Sequence, residues 1–327
     1  MRRRLAFGMA LLTLSCGTVA AAGADFFYVQ TLNDARAKGA VVIDARRLAA
    51  CAERSLAGAR CLPPRDFLGP HDRLASFRDV VWVLGAAGLS GKETALVAGD
   101  DPTRRDFVAG ILYLAGQARV AVLTPPLSPL VAAGKRPTAP GTPKGMFRNP
   151  IYQGWPRARL IVLREELARA LRGKHAPYLL DGRSLRSYWG ERIRGWRGGH
   201  LPGAQPFPMT ALRLAVARGE VQLPGVTSAV AYADNPYDSI AYFTLLRAGA
   251  HFNARVYAGG WQDWAYHTTL PVDAGAYFER QRIRASAPQA PRADTGVISL
   301  DAGEAILLAG TALALAAAAF FLGRRRA

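Results

Sequence analysis

Two stretches of the chain repeat one pattern of apolar and polar positions. Each begins with a short apolar run that ends in an aspartate, continues with a second apolar run, a polar loop and an amphipathic run, and closes with a third apolar run. These segments are 41–46, 95–98, 99–105, 106–116 and 120–123 in the first stretch, and 178–183, 229–232, 233–239, 240–249 and 255–257 in the second. Such alternation of strand-like and helix-like runs predicts an α/β fold with two units, each a mainly parallel sheet flanked by helices.

The two polar loops are the candidate functional segments, because loops at the carboxyl ends of parallel strands carry the binding groups of such sheets. The loop of the second unit consists of Ala233, Asp234, Asn235, Pro236, Tyr237, Asp238 and Ser239. The equivalent loop of the first unit consists of Gly99, Asp100, Asp101, Pro102, Thr103, Arg104 and Arg105. We expect each loop to connect the end of a strand to the first turn of a helix.

The ends of the chain predict a membrane-anchored protein. Residues 1–24 combine an arginine cluster, an apolar run and small residues, which is the layout of a secretory signal peptide. Residues 303–323 are long and apolar enough for a transmembrane helix, and the arginines of the tail 324–327 belong on the cytoplasmic side. The sequence therefore predicts a single-pass protein of a bacterial cell membrane, in contact with lipid through the C-terminal helix. Its body is expected in the periplasm or outside the cell.

The body between these ends divides by composition into two domains, predicted at 26–123 and 159–275. Residues 124–158 are rich in proline and glycine, and we expect them to form an interdomain linker or an extended wrap. Their composition suits neither a helix nor the interior of a sheet. Residues 276–302 are polar, contain proline and are expected to form a stalk before the membrane segment.

Cysteine usage limits the chemistry that this body can perform. Once the signal peptide is set aside, Cys51 and Cys61 are the only cysteines. In an oxidising compartment such a pair is more often a structural disulfide than a redox site. The spacing alone does not show that the two Cβ atoms meet. The inventory of side chains suggests neither a metal cluster nor a cofactor.

The charge of the chain is strongly basic, with a formal net charge of +18 at pH 7. Nucleic acid is not the expected partner outside the cytoplasm. An anionic membrane surface or an acidic polymer fits the charge better, and a solvated basic face without a partner is the alternative.

Three motifs of the second unit resemble those of a rhodanese domain. They are the strand end Asp181-Gly182-Arg183, the segment Gly199-His200-Leu201-Pro202-Gly203-Ala204, and the segment Gly259-Gly260-Trp261-Gln262-Asp263-Trp264. The first unit matches only in outline, so the chain resembles a tandem rhodanese-like protein of the thiosulfate sulfurtransferase family. This resemblance implies a structural role for His200. It places Trp261 and Trp264 beside the loop, either packed in the core or at the edge of a pocket.

The resemblance also shows what the loops lack. In the family, a cysteine thiolate at the start of the second loop holds sulfur as a persulfide, whereas this chain has Ala233 there and Gly99 at the equivalent place. Asp234 and Asp238 add negative charge, which should repel thiosulfate and would suit a cation or an amine. Alternatively, Asp238 and Ser239 are only the N-cap of a helix from Ile240.

Two functions remain open from the sequence. The leading hypothesis is a non-catalytic binding or scaffolding module whose partner is an unknown envelope protein or small molecule. The alternative is a sulfurtransferase that handles thiosulfate or persulfide sulfur through an unusual cysteine, for which Cys61 is the candidate. The two differ in one requirement, because an enzyme of this kind needs a free thiol and a binding module does not.

Overall fold

Two parallel sheets organise the residues that the computed structural model describes, which are 25–33, 39–145 and 151–273. In chain order the strands are β1 (Phe26–Val29), β2 (Val41–Asp44), β3 (Ser55–Leu56), β4 (Arg60–Cys61), β5 (Thr94–Ala98), β6 (Arg119–Leu123), β7 (Thr138–Ala139), β8 (Thr142–Pro143), β9 (Ile161–Val162), β10 (Leu179–Asp181), β11 (Gln205–Pro206), β12 (Ala229–Tyr232) and β13 (Ala254–Tyr257). We call residues 25–145 the first half and residues 151–273 the second half.

Helices connect most of these strands. They are α1 (Leu48–Glu53), α2 (Phe77–Ala86), α3 (Pro102–Leu114), α4 (Leu127–Ala132), α5 (Arg164–Leu171), α6 (Leu185–Tyr188), α7 (Met209–Arg218), α8 (Pro236–Thr244) and α9 (Gly260–Tyr266). A π-helical turn, Leu245–Gly249, extends α8. The α/β architecture with parallel sheets flanked by helices, which the alternating pattern predicted, is confirmed.

The two sheets have the same strand order. The first sheet runs β1-β6-β5-β2-β4 and carries β8 as an additional edge strand, while the second runs β9-β13-β12-β10-β11. The strands β1, β6, β5, β2 and β4 of the first half correspond, in this order, to β9, β13, β12, β10 and β11 of the second half. All strand pairs within both sheets are parallel. The internal repetition seen in the sequence is therefore a repetition of topology.

The central strands are apolar at successive positions because both faces of each sheet are covered. Leu96 and Val97 of β5 are fully buried although they point to opposite faces, and Val230 and Ala231 of β12 are buried in the same way. The short central strands thus read as continuous apolar runs rather than as alternating ones.

The halves pack through the two helices that follow the equivalent loops. Helix α3 crosses α8 at Gly110, where an added Cβ would lie 2.5 Å from Thr244 Oγ1 and 2.6 Å from Ile240 Cγ2. The Thr244 hydroxyl donates to the Asp106 carbonyl oxygen at 2.8 Å. The close approach of the backbones joins all described residues into one compact unit.

The segment 124–158 differs from its expected role. Residues Leu127–Ala132 form α4, and Thr142–Pro143 pairs with β4 at the edge of the first sheet. The expectation that this composition suits no helix fails at α4, where Pro129 lies near the start of the helix. Proline fits the first turn of a helix, whose N–H groups have no partner within the helix. Much of the segment is thus part of the first half.

Several predictions concern residues outside the described ones. The signal peptide at 1–24, the stalk at 276–302, the transmembrane helix at 303–323 and the tail at 324–327 all lie there. Among the described residues, no helix is long and apolar enough to cross a membrane. The membrane anchor therefore stays a prediction from the sequence.

Candidate functional site

The same aspartate–arginine pair ends the first central strand of each half. The Arg183 backbone N–H donates to Asp181 Oδ1 at 2.9 Å, and its Nη2 donates to Oδ2 at 2.7 Å. The equivalent bonds from Arg46 to Asp44 are also 2.9 and 2.7 Å. In both halves Nη2 also donates to a backbone carbonyl oxygen at 2.7 Å. All four side chains are buried, so the pairs act as matching internal supports of the two strand ends.

The pair of the second half also supports the candidate loop. Asp181 Oδ2 accepts a hydrogen bond from the Tyr232 hydroxyl at 2.6 Å, at the end of the neighbouring strand β12. The Arg183 guanidinium lies 4.5 Å from the ring centroid of Trp261, within the range of a cation–π contact. One buried network thus joins β10, β12 and the start of α9 directly below Ala233.

Ala233 follows β12 immediately, and its backbone polar groups are both bound. Its N–H donates to Ser239 Oγ at 2.9 Å, and its carbonyl oxygen accepts from the Trp261 N–H at 2.8 Å. Ala233 is only 2% exposed. The position where the family resemblance expects a thiol is therefore a buried methyl group in a closed turn.

The connection from β12 to α8 is shorter than the sequence suggested. Helix α8 begins at Pro236, and Asn235 is its N-cap, with Oδ1 accepting from the Asp238 N–H at 2.9 Å. The interpretation of Asp238 and Ser239 as the cap of a helix from Ile240 is wrong. Proline is favourable at the first helical position and asparagine at the cap, so the helix begins one turn earlier.

Gly260 lets the start of α9 close against this turn. Its φ of +66° lies in the left-handed region, and an added Cβ would lie 2.8 Å from the Ala233 carbonyl oxygen and 2.9 Å from Ser239 Oγ. Gly259 precedes it, and Trp261 and Trp264 are fully buried behind it. The two tryptophans are thus core residues, which fits the packing alternative, and they fix α9 against the loop.

His200 is buried in the second half, in agreement with the structural role implied for it. Its ring stacks on Tyr188 with a centroid distance of 3.7 Å, and Nδ1 lies 3.1 Å from the Tyr188 carbonyl oxygen. Burial lowers the pKa of His200. The neutral ring of His200 is therefore favoured. The backbone of His200 also pairs with that of Asp273.

Two acidic side chains give the turn a negative character. Burial, followed by repulsion from Asp234, raises the pKa of Asp238 to about 6. Burial also raises the pKa of Asp234, whose Oδ2 lies 3.4 Å from Arg194 Nη1. Asp234 Oδ1 has no hydrogen-bond partner among the described residues. An anion such as a persulfide would be disfavoured beside these carboxylates, and a hydrogen-bond donor or a cation would be favoured.

Replacement of Asp238 by asparagine is expected to stabilise the protein at neutral pH. Between pH 3.8, the ordinary aspartate pKa, and about 6, the Asp238 carboxyl stays protonated in the folded state and loses its proton in the unfolded state. The free energy of unfolding therefore falls as pH rises through this window. We expect Asp238→Asn to recover about 1–2 kcal/mol at pH 7, after allowance for partial exposure. Urea unfolding of both proteins at several pH values measures this difference.

The control for this prediction is Glu53→Gln, which neutralises an exposed carboxylate on α1. We expect it to leave the dependence of unfolding free energy on pH unchanged. If Asp238→Asn leaves that dependence unchanged as well, the raised pKa of Asp238 is wrong.

The loop of the first half is closed in a similar way. Helix α3 begins at Pro102, and Asp101 Oδ1 caps it by accepting from the N–H groups of Thr103 and Arg104 at 2.8 and 2.9 Å. Residues 102–105, predicted as loop, are therefore helix. Arg105 is buried and forms an ion pair with Asp106 at 3.0 Å.

Residues 99–101, the part of this segment that precedes α3, contain no thiol. Gly99 has no side chain, and Asp100 Oδ1 accepts from the Ser128 N–H at 2.7 Å. This loop is a structural connection to α4.

Cys51 and Cys61 form a disulfide, with their Cα atoms 5.8 Å apart. Both side chains are buried, and a Cβ added to Gly141 would lie 2.4 Å from Cys51 Sγ and 2.8 Å from Cys61 Sγ. The backbone at Gly141 therefore covers the sulfur atoms. These two cysteines offer no accessible thiol.

A cleft of about 910 Å³ opens in front of the closed turn of the second half. From the second half, its walls include Arg194, Trp196, Asn235, Pro236, Gln262 and Tyr266. From the first half, they include residues 71–74. A space of this size, lined by charged and polar side chains together with Trp196 and Tyr266, can hold a small ligand or a peptide segment.

The first-half wall of this cleft is a tight hairpin that sequence reasoning missed. Leu68 and Leu74 form an antiparallel bridge, and the Arg73 N–H donates to the Pro70 carbonyl oxygen at 3.3 Å. His71 and Asp72 have φ values of +57° and +54°, as in a type I′ turn. Because asparagine and glycine usually fill these two positions, the turn had no recognisable sequence signal.

Comparisons with known proteins identify the fold and point to a family. No protein-family model matches the chain. A curated relative, the thiosulfate sulfurtransferase of Azotobacter vinelandii, is 30% identical over 104 residues, which cover 28% of this chain and 38% of the relative. The match thus spans less than half of that protein's length.

Solved structures match over a larger part of the chain. A probable thiosulfate sulfurtransferase superposes with a TM-score of 0.52 at 25% identity, covering 72% of this chain and 97% of its own. The wild-type structure of EanB superposes with a TM-score of 0.55 at 16% identity, covering 77% of this chain and 64% of its own. At that identity the second likeness shows the fold alone.

Proposed function

We propose that this chain, a member of the rhodanese-like sulfurtransferase family, is a non-catalytic binding or scaffolding module. The observation that carries this proposal is the closed turn at Ala233, where a methyl group occupies the position of the nucleophile. Neither this turn nor that of Gly99 has a side chain that can hold sulfur covalently. The scaffold is retained while the group that does the chemistry is absent.

The cleft beside the turn is the proposed binding site. Asn235 and Pro236 line it, together with residues 71–74 of the first-half hairpin. The backbone amides of the turn do not form an open anion cradle, because the Asp238 N–H donates to Asn235 Oδ1 and the Ala233 N–H donates to Ser239 Oγ. The proposed partner is an envelope protein segment or a small molecule, and the walls offer it both arginines (Arg73, Arg164, Arg194) and carboxylates (Asp72, Asp263).

The proposed location is a cell membrane, with the two halves in the periplasm or outside the cell. This part of the proposal rests on the sequence at 1–24 and 303–323. The disulfide between Cys51 and Cys61 supports it, since such bonds persist in oxidising compartments and are rare in the cytosol.

The alternative function, sulfur transfer from thiosulfate or a persulfide, is favoured by the relative and by the shared fold. Within the described residues it would have to use Cys51 or Cys61. Both are bonded to each other and at most 1% exposed, so the bond would first have to be reduced and the cover at Gly141 displaced.

Turnover of thiosulfate and cyanide by the full-length chain tests the proposal. The Azotobacter vinelandii relative serves as the positive control, and a Cys51→Ser/Cys61→Ser chain as the matched variant. We expect the natural chain and its variant to remain at the rate of the buffer alone. Turnover near that of the control would refute the proposal, and its loss in the variant would assign the chemistry to the first half.

A further inference from the structure

A group of exposed apolar and cationic side chains projects from the second half beside the cleft. We call it the basic ridge; it consists of Leu185, Arg186, Arg192, Ile193, Arg194, Trp196 and Tyr266. Trp196 is 73% exposed, Ile193 61% and Tyr266 59%. Single exposed apolar residues are common, but a contiguous group rimmed by charge marks an interaction surface.

Hydrogen bonds and ring contacts hold the ridge together. The Arg192 N–H donates to the Arg186 carbonyl oxygen at 3.0 Å, which joins the two basic positions. The Trp196 ring lies edge-on to Tyr266 with a centroid distance of 5.5 Å. Arg197 Nη2 donates to the His267 carbonyl oxygen at 3.0 Å. The segment 192–197 is thus fixed on α9 and presents its large side chains outward.

The ridge has an excess of positive charge. Residues 185–197 contain four arginines and one glutamate, which gives a formal charge of +3. Glu191 lies 3.8 Å from Arg186, and Asp234 lies 3.4 Å from Arg194. Arg192 forms no ion pair among the described residues. Arginine beside tryptophan and tyrosine is the combination that favours the boundary between a bilayer and water.

The chain leaves the described structure near this ridge. The last described residue, Asp273, exchanges backbone hydrogen bonds with His200 at 3.0 and 3.3 Å. His200 in turn stacks on Tyr188, the last residue of α6. Residues 274–302 then lead to the apolar segment 303–323. Twenty-nine residues can span at most about 100 Å. A membrane anchor at 303–323 would therefore keep the ridge within that distance of the bilayer.

We propose that the basic ridge docks on an anionic lipid surface, with Trp196 and Ile193 entering the interface and the arginines binding lipid phosphates. This contact is additional to the anchor and requires no ligand in the cleft. The positive charge of the ridge and the place where the chain leaves the structure select a bilayer rather than a soluble protein. Docking would hold the body in one orientation, with the mouth of the cleft at the membrane.

Tryptophan fluorescence of the full-length chain tests this contact selectively. The six tryptophans are Trp82, Trp155, Trp189, Trp196, Trp261 and Trp264, all in the described body, so the apolar segment contributes no signal. The chain is reconstituted in phosphatidylcholine vesicles and in vesicles that also contain phosphatidylglycerol, both with brominated acyl chains. We expect bromine to quench the fluorescence only with phosphatidylglycerol, and added salt to reverse the quenching.

Matched variants locate the contact. Trp196→Phe should abolish the quenching, while Trp155→Phe, which changes a tryptophan that is 88% exposed outside the ridge, should retain it. Arg192→Gln/Arg194→Gln should shift the ratio of docked to undocked protein by about thirtyfold toward the undocked state. Arg119→Gln/Arg218→Gln, which removes two exposed arginines elsewhere, should have no comparable effect.

Three outcomes would overturn the proposal. The first is quenching of equal size in both kinds of vesicle, and the second is quenching that survives Trp196→Phe. The third is a change in Trp196 fluorescence with heparin, a soluble acidic polymer, but none with phosphatidylglycerol. That last result would assign the ridge to an acidic polymer.

Discussion

Replacement of Asp181 by alanine is expected to lower the free energy of unfolding by about 3–5 kcal/mol. The carboxylate is fully buried and accepts hydrogen bonds from the Arg183 backbone, the Arg183 guanidinium and the Tyr232 hydroxyl. Its removal leaves a buried guanidinium without a counter-charge and a buried hydroxyl without its acceptor. Because these groups lie below Ala233, the loss should loosen the candidate site as well.

Urea unfolding of the variants measures this effect in both halves. Asp44→Ala removes the equivalent carboxylate, which also accepts from Ser55 Oγ at 2.7 Å, and should destabilise by a similar amount. Glu166→Ala, which breaks an exposed ion pair with Arg255, is the control and should change stability by at most about 1 kcal/mol. If Asp181→Ala behaves like Glu166→Ala, the pair is not the internal support described above.

The second large effect is expected at Gly260. Alanine there would adopt a left-handed backbone conformation and place its methyl group within 3 Å of the turn that contains Ala233. The conformational cost and the steric overlap together should lower stability by about 2–5 kcal/mol. The turn and the start of α9 would have to separate, so the cleft should also change shape.

Gly219 provides the matched control for this substitution. Its φ is +70°, close to that of Gly260, but no atom lies within 4 Å of an added Cβ. Gly219→Ala should therefore show the conformational cost alone, about 1–2 kcal/mol. Equal effects of the two substitutions in thermal or urea unfolding would show that the close approach of Gly260 to the turn does not exist.

The sequence predicted the elements that depend on local patterning. The central strands and their repetition in two similar units follow from apolar runs that end in Asp44 and Asp181, since these runs must be covered on both faces. The equivalent geometry of the two aspartate–arginine pairs follows from the same repetition. The position of Ala233 at the end of β12 was also predicted.

The details that sequence reasoning missed depend on tertiary contacts or on weak local signals. The start of α8 at Pro236 rather than Ile240 was recoverable from Asn235 and Pro236, which are favourable at the cap and the first position. The hairpin at His71 and Asp72 was not recoverable, because its left-handed residues depart from the usual turn composition. The cleft depends on contacts between the halves, which no local pattern encodes.

The proline- and glycine-rich segment 124–158 shows a further limit of composition. Gly141 contacts the disulfide so closely that no side chain fits there, and the neighbouring Thr142–Pro143 completes the edge of the first sheet. Gly141 therefore marks a close packing contact.

Intact mass spectrometry of a full-length chain with Cys16→Ser, after incubation with thiosulfate and removal of the excess, tests directly whether the two halves can hold sulfur. We expect an unchanged mass, because the turn at Ala233 has no thiol and the disulfide between Cys51 and Cys61 is buried. A gain of one sulfur atom that cyanide then removes would contradict it, since the chain would hold sulfur in transit as a sulfurtransferase does.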